Sequence, residues 1–129
     1  MDTKQQLEST SFPSTALTSD VEVVKTGATL ALRVTFDRDG QDWTGGIAFA
    51  SVRAYRWRAE GHCTEWHIQD AYDTVVEIND SSWVAELRAD SGPNSTWPMH
   101  HFMVFLDGAG CFEAAATSWE MLEEVPVDC

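Results

Sequence analysis

The sequence predicts an α+β domain, with a single curved antiparallel sheet of five to six strands and two short helices packed to one side. Apolar and polar residues alternate along Leu30–Phe36 and Tyr72–Ile78, the period of a strand with two unlike faces, and Phe102–Leu106 is a short apolar run. The turn signals Asp37-Arg38-Asp39-Gly40 and Asp107-Gly108-Ala109-Gly110 leave too little chain for a crossover, so neighbouring strands run antiparallel. Two cap signals, Asp80-Ser81-Ser82 and Thr117-Ser118-Trp119-Glu120, open the helices.

In order along the chain, residues 1–19 are rich in Ser, Thr and Gln, with Pro13 and no periodicity. They read as a mobile N-terminal arm, with Phe12 or Leu17 docking on the body, and residues 20–129 form the single acidic domain. Val21 and Val23 alternate with Glu22 until Gly27 breaks the run. Leu30, Leu32, Val34 and Phe36 make a strand with one wet face. A long strand then runs from about Gly45 to Arg58, with Ile47, Phe49, Tyr55 and Trp57 on one parity, and its length calls for a bend or bulge. Ala59–Ala71 is irregular. Tyr72–Asn79 returns to alternation, and a helix follows in which Trp83 and Leu87 fall four apart, stopped by Gly92-Pro93. A loop through Asn94–Pro98 leads to His100–Asp107, which is apolar on both faces and reads as a central, doubly covered strand. Cys111–Thr117 returns beside it. The terminal helix opens at Ser118 and ends before Pro126.

A chain of 129 residues forms one domain with one core, and 43% hydrophobic content with six tryptophans excludes full disorder. No run approaches a membrane span, and the N-terminus lacks the apolar stretch of a secretory signal. Three cysteines, an odd number, argue against a disulfide framework and for a reducing, cytoplasmic location. Cys63 and Cys111 read as core or near-core residues and Cys129 as a terminal thiol.

Charge is split along the sequence. Residues 1–58 carry seven bases and seven acids, whereas residues 59–129 carry fourteen acids and only Arg88, which is the whole net charge of −13. Such a balance repels nucleic acid and anionic membranes and attracts a basic partner. Arg53, Arg56 and Arg58 among Tyr55 and Trp57 look like a nucleic-acid strand, but the net charge makes the phosphate attraction poor. These arginines are expected to pair with acids of adjacent strands.

The residues with metal-ligand chemistry are His62, Cys63 and His67, with His100 and His101 on a neighbouring strand. No ligand pair repeats at zinc-ribbon spacing, so they read as loop and core packing, and no metal or cofactor is expected. Nothing near Cys63 lowers its pKa to make a nucleophile. Gly45-Gly46 and Gly108-Ala109-Gly110 lack the Lys–Ser/Thr pair of a phosphate loop. Trp57 and Trp83 read as structural, while Trp66 and Trp97 lie in loops near acids, where an aromatic ring can anchor a cationic partner.

The run Tyr72–Trp83, then His100-His101-Phe102-Met103-Val104-Phe105-Leu106-Asp107, and then Gly110–Glu113 through Ser118-Trp119-Glu120 resembles small bacterial α+β proteins. Some of these resemble immunity proteins of polymorphic toxin systems. The resemblance spans about residues 72–120, rests on caps and turns, and carries over no catalytic residue. It implies the α+β fold and an immunity-type role; together with the acidic charge, the expectation is a non-enzymatic inhibitor, a monomer or weak homo-oligomer, that occludes a basic toxin or enzyme. The residues expected to meet that partner are Glu60, Glu65, Trp66, Asp70, Asp73, Trp97, Glu120, Glu123 and Glu124. The competing expectation is a small-molecule or metal-binding domain, or an enzyme, using the His/Cys cluster.

Overall fold

A computed structural model describes residues 2–92 and 97–127. The strands are β1 (Thr3–Ser9), β2 (Glu22–Thr26), β3 (Thr29–Arg38), β4 (Gln41–Ala50), β5 (Ala54–Arg58), β6 (Thr74–Asn79), β7 (His100–Leu106), β8 (Gly110–Ala116), β9 (Ser118–Met121) and β10 (Val125–Pro126). A single-turn helix α1 (Glu65–Ile68) precedes β6, and the longer helix α2 (Ser82–Ser91) follows it. Pro93, Asn94–Thr96 and Cys129, read above as a stop signal, a loop and a terminal thiol, lie outside the described residues.

The strands form two five-stranded sheets and α2 is the one helix longer than a single turn among the described residues, so the fold is mostly β, which corrects the expected α+β domain of a single sheet with two helices. One sheet has the order β1-β6-β7-β8-β5; in the other, β10-β4-β3-β2, strand β9 shares the outer edge of β4 with β10. The named strand pairs are antiparallel. Leu30, Leu32, Val34, Phe36, Ile47 and Phe49 of one sheet bury against Val75, Phe102, Val104, Leu106 and Ala114 of the other. Across this layer the Phe49 and Phe102 rings stack with centroids 5.9 Å apart.

The expected long strand Gly45–Arg58 is two strands in different sheets. Ser51, at φ 53°, takes the chain off the β4 line. Val52 N–H still donates to Ala28 in the β2–β3 turn, and the next residue, Arg53, already donates to Ala115 of β8 in the other sheet, both at 2.8 Å. A side-chain alternation that continues across the break conceals the crossing, because both strands turn the same parity toward one shared core.

The terminal helix is likewise corrected to a strand. Trp119 and Met121 are half-buried and alternate with exposed Ser118 and Glu120, and β9 pairs with β4 through Phe49↔Trp119. The cap-like spacing at Thr117–Glu120 yields to an open strand edge that needs a partner. At the other end of the chain, residues 3–9 are an edge strand rather than a free arm, paired to β6 from Thr3↔Asn79 to Ser9↔Thr74. Only Leu7 of this strand packs on the core, so its composition hides its role. Phe12 docks as expected, 1% exposed and stacked on Phe36 with centroids 5.5 Å apart.

Strand β7 is covered on both faces. Its outer face joins a second small core of Val76, Ile78, Met103, Phe105 and Cys111, roofed by Cys63 and Ile68 of the β5–β6 connection. Lys4 fastens that roof, its Nζ donating to the carbonyl of Trp66 and, at 2.6 Å, to that of Gln69. Gly46, at φ 142°, sits where a Cβ would strike the Leu32 carbonyl, so β3 and β4 approach closely only because residue 46 is glycine.

Candidate functional site

The two sheets do not close on the side where β2 edges one and β5 edges the other. Val23 lies opposite Leu32 on β3, and Tyr55 and Trp57 lie opposite Ala114 and Phe112 on β8. Antiparallel partners share a face, so these side chains point into the inter-sheet layer with the core. Yet Val23 is 43% exposed, Tyr55 49% and Trp57 56%. With Leu17, Val21 and Phe112 they line a groove of about 830 Å³. Trp57 is not free to swing, because its Nε1 donates to the Ala109 carbonyl at 2.8 Å.

The mouth of the groove is acidic and held in shape by hydrogen bonds. Asp20 and Asp107 line it beside Ser14. Buried Ser14 accepts the Asp107 N–H on its Oγ at 2.7 Å and donates its own N–H to Asp73 Oδ2 at 3.1 Å. Glu60 Oε1 accepts from Gly108 N at 3.2 Å, which brings a third carboxylate to the β7–β8 turn. Burial pushes the Tyr72 hydroxyl up, a hydrogen bond with Ser14 opposes it, and the charges of Asp107 and Asp73 add to the rise.

The residues expected to meet a partner fall into separate groups. Glu60, Glu65, Trp66 and Asp70 all lie on the β5–β6 connection and are exposed. Asp73 is half-buried and bonds to Ser14, and its Oδ1 is buried without a partner among the described residues. Glu120 lies on β9 and Glu123 just beyond it, both exposed. Glu124 is half-buried in an ion pair with Arg38 at 3.0 Å and also accepts from the Ser11 hydroxyl. Burial raises its pKa, but Ser11 and Arg38 overcome that and hold it below the usual carboxylate range.

The loop tryptophans already hold cations of this chain. Lys4 Nζ lies 4.1 Å from the Trp66 ring centroid, and the Arg53 guanidinium carbon 3.2 Å from that of Trp97. Trp66, Trp97 and Tyr72 are exposed too, but Tyr55 and Trp57 are the exposed aromatics on a core-facing side of their strand. Their shared parity with the core-facing Ile47 and Phe49 was visible in the sequence, but the edge position of β5 was not.

Nor do the histidines and Cys63 converge. Among the described residues no three His, Cys, Asp or Glu side chains are grouped to hold a metal ion. His62 is exposed, and His67 Nδ1 accepts from Thr64 N at 3.0 Å. Burial pushes the Cys63 thiol up and the His67 imidazole down. His100 bonds to Glu77 at 2.7 Å.

His101, 3% exposed, lies in a chain that residue spacing concealed. Its Nδ1 meets Ser81 Oγ at 2.7 Å and its Nε2 meets Glu113 Oε1 at 2.7 Å. Arg56 grips the same carboxylate through Nε at 3.0 Å and Nη2 at 3.1 Å, and its guanidinium lies over the Trp83 ring. Burial alone would raise the Glu113 pKa. Hydrogen bonds from His101 and Arg56, with the guanidinium charge, override this and hold it at about 2. Ser81 Oγ also caps α2 by accepting from Val84 N at 3.1 Å. These groups are committed to one another, and the chain clamps α2 onto β7 and β8.

Comparison of the chain with protein-family models, with curated protein sequences and with solved structures found no match in any of the three.

Proposed function

We propose that this is a non-enzymatic protein-binding domain whose groove between β2 and β5 receives part of a basic partner. The observation that supports this most is the uncovered inner layer. Val23, Tyr55 and Trp57 face the core side of their strands yet remain 43%, 49% and 56% exposed. An apolar layer built to be covered, left open, marks a place where another surface completes it. The sign of the partner follows from the charge. Asp20 and Asp107 line the groove, Glu60 adjoins its rim, and the chain carries −13 overall. A second copy brings the same charge to the same rim, whereas a basic protein is attracted to it. In the form the immunity resemblance implies, the partner is a toxin, and binding occludes its active site.

The test is affinity capture from native lysate at low salt, run side by side with the wild type, Trp57→Ala and Tyr55→Ala, each checked for folding by its melting curve. The expected result is a basic protein held in stoichiometric amount by the wild type, released by rising salt and lost from both variants. Equal capture by all three would remove the groove from the account.

A further inference from the structure

Resting on that binding role, we propose that the partner enters as an extended segment that adds a strand to the free edge of β5. Among the described residues strand β5 pairs with β8 alone, so about half of its backbone N–H and C=O groups point away from the sheet. The other edges are blunted: β2, the second edge on the groove, carries the charged Lys25 opposite core-facing Leu30, and β9 is only four residues long. The opposite edge of the same sheet, β1, carries a register shift between Gln6 and Glu8 and mostly polar side chains. In the second sheet, β10 is two residues long and contains Pro126, which lacks the N–H needed for pairing. β5 contains no proline and keeps an unbroken register from Ala54↔Ala115 to Arg58↔Cys111. Its inward side chains, Tyr55 and Trp57, are the uncovered ones, so an added strand is accepted by the backbone and by the groove at once.

The side chains define the segment chemically. Its inward positions lie over Tyr55 and Trp57 and across from Val23, which favours aliphatic residues. Near Asp107 and Asp20 an inward Lys or Arg gains a carboxylate and an aromatic face together. Its outward positions run beside Arg56 and Arg58. Arg56 is bound to Glu113 through both Nε and Nη2, while Arg58 makes only a 3.4 Å bond to the His62 carbonyl. Arg58 is therefore the residue that selects an acidic or hydroxyl-bearing neighbour on the incoming strand.

The probe is the peptide acetyl-Lys-Thr-Lys-Thr-Val-Glu-Val-amide, with Lys and Val on one parity and Thr and Glu on the other. It is titrated into the whole protein while backbone amide NMR shifts are followed. Two further versions carry N-methyl groups on one parity or the other. Strand addition predicts shifts centred on β5, binding weakened at least about tenfold by methylation on one parity only, and a similar loss in Tyr55→Ala. It also predicts that replacing the peptide's Glu by Lys weakens binding to the wild type and that Arg58→Glu reverses this preference. No binding at millimolar peptide, or equal losses from both methylation patterns, would overturn strand addition. A preference that Arg58→Glu leaves unreversed would overturn the register assigned to Arg58. If the peptide fails while the lysate partner is still lost from Trp57→Ala and Tyr55→Ala, strand addition fails and the groove survives. If capture ignores those variants, the groove itself fails.

Discussion

Glu113 is a carboxylate buried to 6% exposure, with His101 and Arg56 on its two oxygens. Removing the carboxylate leaves the buried His101 ring nitrogen without its partner, while half-exposed Arg56 can turn to water. Glu113→Ala is therefore expected to cost about 1–3 kcal/mol in urea unfolding at neutral pH. The pH dependence has a definite sign. The folded pKa lies at about 2 against an ordinary 4.5, so Glu113 contributes stability that is fully present above 4.5. That contribution is lost as pH falls from 4.5 toward 2, and the gap between wild type and Glu113→Ala should narrow over the same window. A gap that stays constant across it would mean that the pair does not hold the carboxylate ionised. Ser81 is a second test of the clamp: Ser81→Ala removes the α2 cap and the His101 partner, with an expected loss of about 1–2 kcal/mol. At this scale the sequence was partly legible. The cap at Ser81 follows from its place before an apolar stripe. Its union with His101 and Glu113 does not, because three strands in register bring together residues far apart in the chain.

Among the elements, periodicity exposed those with one wet face and one dry face. β3 alternates cleanly because Leu30, Leu32, Val34 and Phe36 are buried while Arg33 is exposed and Ala31 and Thr35 are half-buried. β7 showed itself as doubly covered because both of its faces are apolar. The misread elements are edges. β1 has Leu7 as its only contact with the core, and β9 carries a cap-like sequence that pairs with β4 instead. Edge strands place only one or two side chains on the core, Leu7 in β1 and Trp119 and Met121 in β9, so their sequence imitates a linker or a cap. Deleting residues 1–9 tests the correction at β1. It strips the partner from β6 and the Lys4 anchor from α1, with an expected fall in melting temperature of about 5 °C or more. An unchanged melting curve would return this segment to a dispensable arm. Gly46→Ala probes the β3–β4 approach, where the new methyl group meets the Leu32 carbonyl at a φ that alanine rarely adopts. The expected result is loss of folded protein at ambient temperature, read by near-ultraviolet circular dichroism.

In the whole molecule, the charge split of the sequence does not become one neutral and one acidic half. β1 and β5, from the balanced half of the sequence, flank β6, β7 and β8 from the acidic half. The ion pairs Arg38–Glu124 and Arg56–Glu113 each join one half to the other. What the fold contributes, and the sequence could not reveal, is the open side. The break at Ser51 places β5 at one sheet's edge and leaves β2 at the other's, with their inward side chains uncovered. Among the described residues no helix is long and apolar enough to cross a membrane. The same-sign charge on every copy predicts a monomer by sedimentation at low salt, and a dimer dissolved by Trp57→Ala would make the groove a self-association surface. The most direct measurement is the affinity of wild type and Trp57→Ala for the captured basic partner, taken across a salt series. The groove account predicts that the wild type weakens as salt rises, chiefly through the on-rate, and that Trp57→Ala is at least about tenfold weaker at every salt concentration. Equal affinities for the two proteins, or binding indifferent to salt, would contradict it.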